Sequence, residues 1–236
     1  MSSKDSGLQG RLARVHERIS AAARAAGRDP GEITLLAVSK TFGAHRVIEA
    51  VEAGQRAFGE NYVHEAAEKI AQVRDALPGA ALEWHFIGPI QSNKTRTIAE
   101  VFDWVHSVDR LKVAQRLAEQ RPAGLADLNL LLQVNISGEL TKSGVPAEAA
   151  AELAREVAAL PRLRLRGLMA IPAPAQDLAA QRAPFARLRA LRDSLRRSGL
   201  VLDTLSMGMS DDLEAAILEG ATLVRVGTAI FGARPA

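Results

Sequence analysis

The stretch Ile33–Gly43, ITLLAVSKTFG, decides how the chain is read. Ile33, Leu35, Leu36, Ala37 and Val38 form a nearly continuous apolar run. Such a run suits a parallel strand covered on both faces better than a half-exposed one, which would alternate. It is followed by Lys40, where the strand would surface. A lysine there either reaches water along its aliphatic stem or holds its amine in a partly dry pocket as a nucleophile.

The same pattern recurs outward from this stretch. Strands are expected at Ile33–Ser39, Arg56–Gly59, Glu83–Gly88, Trp104–Val108, Leu128–Asn135, Leu163–Ala170, Thr204–Met207 and Thr222–Val226. Helical stretches lie between them. Gly54, Gly199 and Gly220 stand where helices stop, Pro78 and Pro161 bar continuation, and Pro146 suits a helix start. A leading helix over residues 8–26 carries Leu12, Val15, Ile19 and Ala22 on one stripe, to cover one end of a barrel or pack on its side. Eight strands with seven intervening helices predict parallel βα units, and eight is the number that closes a (β/α)8 TIM barrel. An open doubly wound sheet is the structural alternative. No Pro/Gly/Ser-rich break interrupts the chain, so the expectation is an α/β fold with one domain over residues 1–236, its core at about 8–232, and an extra N-terminal helix.

Composition narrows the function. At 47% hydrophobic and 24% charged, the 236 residues can bury a full core. A net charge of +3 implies no polyanionic partner, so no nucleic acid is expected. With no cysteine, disulfides, thiolate catalysis and cysteine metal sites are excluded. The opening residues lack an apolar signal core and no run is long enough to span a bilayer, so a cytoplasmic protein without membrane contact is expected. Of the 30 basic residues only Lys4, Lys40, Lys69, Lys94, Lys112 and Lys142 are lysines. A lysine at an apolar strand end is then informative, because lysine, unlike arginine, can lose its proton and attack a carbonyl.

In a barrel, chemistry sits at the C-terminal strand ends. Those of the last two strands read LSMGMSDD and VRVGTAIFG. Ser210 looks like a helix N-cap, with Asp211 and Asp212 in the first turn. Ser206, Gly227 and Thr228 offer two hydroxyls and a close backbone approach, the parts of a phosphate cup, although turn residues and caps would look the same. Arg225, two residues earlier, is a charge inside an apolar strand: a rim residue reaching outward, or a fixed donor aimed at a ligand. An amine, a phosphate cup and a buried cation together suit pyridoxal 5′-phosphate (PLP), which needs partners for its aldehyde, its phosphate and its ring nitrogen. Lys40 would then carry PLP as a Schiff base, with its pKa lowered by desolvation.

LLAVSKT (35–41), FGENYVHEA (58–66), WHFIGPIQSNK (84–94), VNISGELTKSG (134–144), GLMAIPA (167–173), LSMGMSDD (205–212) and VRVGTAIFG (224–232) occur in order. On these motifs the chain, from about residue 8 to 232, resembles the pyridoxal phosphate homeostasis protein family, also called the YggS/PROSC family. The resemblance implies a fold like the N-terminal barrel of alanine racemase, PLP on Lys40, its phosphate held by Ser206, Gly227 and Thr228, Arg225 facing the pyridine nitrogen, and Asn61 near the ring edge. It implies a protein that carries or buffers PLP in vitamin B6 and amino-acid homeostasis, with PLP-dependent apoenzymes as partners and no robust catalysis of its own; a monomer is the expectation. An arginine donating to the pyridine nitrogen disfavours its protonation and weakens the ring as an electron sink.

The alternatives are a PLP-dependent amino-acid racemase or lyase, and a cofactor-free Schiff-base aldolase whose cup takes a sugar phosphate. The only tyrosine, Tyr62, falls in the second βα loop. His85 and His106 read either as hydrogen-bonded core histidines or as proton-handling groups. Gln91–Lys94 reads as a helix start, and Thr141–Gly144 as a turn or an anion-binding loop. Lys94 and Lys142 are further amines near the mouth. The arginine-rich helix at 182–197 reads as an outer barrel helix with a solvated face.

Overall fold

The computed structural model describes residues 7–139 and 142–233; Thr141 lies outside them. Eight strands build the barrel: β1 (Thr34–Val38), β2 (Ala57–Glu60), β3 (Glu83–Phe86), β4 (Trp104–Val108), β5 (Leu128–Asn135), β7 (Leu163–Met169), β8 (Thr204–Ser206) and β9 (Leu223–Val226). Their order is β4-β3-β2-β1-β9-β8-β7-β5, every neighbouring pair is parallel, and a β4–β5 pairing closes the ring. The (β/α)8 expectation holds at all eight strands. One short strand, β6 (Val145–Pro146), was not expected; it pairs with the end of β5 outside the ring and is too brief to show periodicity.

Alternation divides the strand residues into two populations. Leu35, Ala37, Phe58, Trp84, Phe86, Val105, Leu130 and Val224 join the core shared with the helices. Their neighbours in sequence face inward and form two smaller clusters, Leu36–Ala57–Leu223 and Trp104–Leu131–Met169. The interior also holds polar groups. His85, His106, Ser206 and Arg225 are all at most 4% exposed.

Helices α1 (Leu8–Ala25), α2 (Ala44–Glu52), α3 (Val63–Ala76), α4 (Thr95–Val101), α5 (Leu111–Gln120), α6 (Ala150–Ala158), α7 (Leu178–Arg197), α8 (Leu213–Leu218) and α9 (Thr228–Phe231) surround the barrel. The last spans four residues, too few to cover the seam between β9 and β1. Helix α1 does so instead, packing against α2, α8 and α9 with Leu12, Val15 and Ile19 buried. Arg11 Nε donates to the Ile230 carbonyl at 2.6 Å, and Arg18 pairs with Glu214 at 2.7 Å. Of the two placements open to the leading helix, the side of the barrel is the one adopted.

One cap differs from the reading of the sequence. Ser210 does not start α8; Asp212 precedes its first residue, Leu213. The Asp212 carboxylate accepts the Met209 N–H at 2.6 Å, closing a turn over 209–212 that delays the helix.

Candidate functional site

The loop after β1 carries Lys40 between a wholly buried Ser39 and Thr41. Thr41 has φ +69°, a left-handed conformation that a β-branched residue adopts only under constraint. The constraint comes from α3. Lys69 Nζ donates to the Ser39 carbonyl at 2.9 Å, to Glu60 Oε1 at 2.7 Å and to Glu65 Oε1 at 2.8 Å. The same Glu65 oxygen accepts the Thr41 N–H at 2.7 Å, and the Ser39 hydroxyl donates to Glu60 at 2.7 Å. The backbone on both sides of Lys40 is therefore fixed by one buried cluster. With its three protons engaged, Lys69 is a structural cation. Burial pushes the Glu60 carboxyl up, against the opposing pull of Lys69 and Ser39. Lys40 itself is partly exposed at the C-terminal end of the barrel.

Strand β9 lies beside β1, with Leu36 in register with Arg225 and Ala37 with Val226. Arg225 is 4% exposed; one terminal nitrogen donates to Ser206 Oγ at 2.6 Å and the other to the Ala170 carbonyl at 3.0 Å. Burial lowers its pKa to about 10, which leaves it charged at neutral pH. Among the described residues no carboxylate reaches it within ion-pairing distance; Asp212 acts on it from further away. A buried guanidinium with this surplus of charge suits an anionic or strongly accepting ligand.

Two contacts join the ends of β1 and β9. A Cβ added at Gly227 would meet the Val38 carbonyl oxygen at 3.3 Å, so a side chain there would crowd the two backbones. Phe42, two residues past Lys40, stacks on Phe231 with ring centroids 5.2 Å apart. Thr228 opens the short α9, whose first N–H groups have no partner within the helix. On the other side of β1, Asn61 follows β2, and its Oδ1 is buried with no hydrogen-bond partner among the described residues. Gly88 holds this loop close: a Cβ there would fall 2.2 Å from the Asn61 carbonyl oxygen.

Lys40, Asn61, Ser206, Arg225, Gly227 and Thr228 thus lie at or just beyond the ends of four consecutive strands, β2-β1-β9-β8. Ser206 is drawn to Arg225 and His106, its hydroxyl pointing into the barrel. His85 and His106 bond each other at 2.9 Å inside the barrel. Tyr62 is 53% exposed outside it. Lys94 contacts His64 on the surface. The sequence reading gave no role to Glu60, Glu65 or Lys69. The one available signal was the Glu65–Lys69 spacing, which places opposite charges on one helix face. Among the described residues no cluster could hold a metal ion and no helix is long and apolar enough to cross a membrane.

Comparison with known proteins bears on the fold and the family. A curated relative from Pseudomonas aeruginosa, named pyridoxal phosphate homeostasis protein, is 66% identical over 223 residues, covering 94% of each chain. One of the same name from Escherichia coli is 56% identical over 223 residues, covering 94% of this chain and 95% of its own. The structure of PipY from Synechococcus elongatus, described as having PLP bound, superposes with a TM-score of 0.82 at 37% identity, covering 95% of this chain and all of that one (100%). Residues 11–235 match the family described as "Alanine racemase, N-terminal domain". The chain therefore belongs to the alanine racemase N-terminal domain family.

Proposed function

We propose that this protein binds pyridoxal 5′-phosphate at the C-terminal mouth of its barrel and carries or buffers it for vitamin B6 and amino-acid homeostasis. The observation that carries this reading is the buried Arg225, with no paired carboxylate among the described residues, on the strand next to the one that leads to Lys40. PLP supplies an aldehyde conjugated to an electron-withdrawing pyridine ring. Lys40 is the amine that holds the aldehyde. Gly227, Thr228 and the start of α9 receive the phosphate; Ser206, whose hydroxyl is engaged by Arg225 and His106, holds Arg225 and not the phosphate. Arg225 donates to the ring nitrogen, and the orphaned Asn61 Oδ1 lies at the ring edge. The relatives' names and the PLP-bound PipY structure support the assignment.

The same residues favour carriage over turnover. Arg225 can only donate, so it opposes protonation of the ring nitrogen and limits the stabilisation of carbanions. A racemase needs a second acid–base group facing Lys40. His85 and His106 are committed to a buried hydrogen-bonded pair, and Tyr62 lies outside the barrel. The recipients are PLP-dependent apoenzymes, and the carrier is a cytoplasmic monomer. The test is incubation with PLP, gel filtration, and transfer to an apoenzyme. A yellow monomer that reactivates the apoenzyme but racemises no D- or L-amino acid supports the proposal. Sustained racemisation that disappears in Lys40→Ala refutes it.

A further inference from the structure

A hydrogen-bonded row crosses the barrel interior behind Arg225. Arg225 donates to Ser206 Oγ at 2.6 Å, Ser206 Oγ lies 2.9 Å from His106 Nδ1, and His106 Nε2 lies 2.9 Å from His85 Nδ1. Beyond the row, His85 Nε2 has no hydrogen-bond partner among the described residues and faces Glu83 Oε2 at 3.7 Å, outside hydrogen-bond distance, in a cavity of about 470 Å³ at the opposite, N-terminal mouth. Arg225, Ser206, His106 and His85 are all at most 4% exposed.

The direction of the protons follows from valence. A guanidinium only donates, so Ser206 must accept from Arg225. The remaining Ser206 proton has one acceptor among the described contacts, His106 Nδ1. His106 therefore carries its own proton on Nε2 and gives it to His85 Nδ1, which places the His85 proton on Nε2, toward Glu83. The opposite order would strand a buried hydroxyl proton and point a bare imidazole lone pair at a carboxylate. Electrostatics agrees. Burial, with His85 and Arg225 nearby, holds His106 well below its usual pKa. Burial also lowers His85, against Glu83 and Asp103.

We propose that His106, its tautomer fixed by His85, is a positioning residue for Arg225: it takes the Ser206 proton and so locks Ser206 as the acceptor that aims the guanidinium. The role toward PLP rests on the function proposed above; the proton order does not. Two measurements separate them. In the full-length protein without PLP, 15N-resolved imidazole spectra near neutral pH are expected to show both histidines neutral and protonated on Nε2. An Nδ1–H tautomer or an imidazolium at His106 overturns the proposal and leaves PLP binding standing. With PLP, His106→Asn keeps an acceptor where Nδ1 was, whereas His106→Leu removes it. His106→Asn is expected to keep the wild-type absorption band, with PLP retention within about threefold. His106→Leu is expected to shift the band and lose about tenfold in retention, the scale of one net hydrogen bond. Matched behaviour of the two variants, both confirmed folded by circular dichroism, overturns the proposal. Failure of the wild-type protein to retain PLP overturns the functional reading while the imidazole spectra still report the proton order.

Discussion

Lys69→Met tests how the loop around Lys40 is held. In the wild type, Lys69 and Glu60 form an ion pair at 2.7 Å with side chains 3% and 0% exposed. Removing the cation leaves the Glu60 carboxylate buried, with only the Ser39 hydroxyl to bond it. Breaking a buried pair in this way costs about 3–5 kcal/mol. For a chain of this size, 1 kcal/mol moves the melting point by roughly 2–4 °C, so a fall on the order of 10 °C is expected. The deficit should depend on pH. Burial already raises the Glu60 carboxyl above its ordinary value of 4.5, and losing Lys69 raises it further. The native state then keeps a proton that the unfolded chain releases, so stability falls as pH rises from 4.5 through the folded-state value. Urea unfolding followed by circular dichroism at about pH 5 and pH 8 should show the larger deficit at pH 8. Glu60→Gln in the Lys69→Met background, which leaves no buried charge, should recover part of the loss. A Lys69→Met protein within about 1 kcal/mol of wild type at pH 8, or a double variant no more stable than the single one, would refute the argument.

Other substitutions address separate parts of the account. Gly88→Ala forces a methyl group against the Asn61 backbone and should destabilise by about 2 kcal/mol or more; a melting point unchanged from wild type would show that the two loops can separate freely. Arg225→Met removes a buried cation that has no paired carboxylate among the described residues, so the PLP-free protein should be as stable as wild type or more so by about 1 kcal/mol, yet lose PLP retention. A loss of stability above about 2 kcal/mol would mean that the Ser206 and Ala170 bonds outweigh the buried charge. His85 and His106 have folded-state pKa values below the ordinary 6.5, so the unfolded chain binds more protons and stability should fall as pH drops below about 6.5. Replacing both with Gln should flatten that limb of the melting curve; an equally steep acid limb in the double variant would place its origin elsewhere.

The barrel was legible because its strands are buried on both faces. Runs such as Leu128–Asn135 show where a strand lies without any knowledge of its partner. Lys40 and Arg225 stood out for the complementary reason, as charges at places that exclude charge. What stayed hidden depends on contacts between distant segments. Glu60, Ser39 and Lys69 come from a strand, a loop and a helix, and nothing in their spacing reveals one shared carboxylate oxygen. The His85–His106 bond needs the β3–β4 register, which pairs His85 with Trp104 and brings His106 beside it one pleat on. Ser210 looked like a helix cap from its local sequence, but the Asp212 carboxylate captured a nearer backbone N–H.

The most direct test concerns the amine after β1. The protein is loaded with PLP, reduced with borohydride, digested and mapped by mass spectrometry. A phosphopyridoxyl group on Lys40, absent from Lys69, Lys94 and Lys142, is the predicted result. An adduct on another lysine, or none on Lys40, would contradict the account.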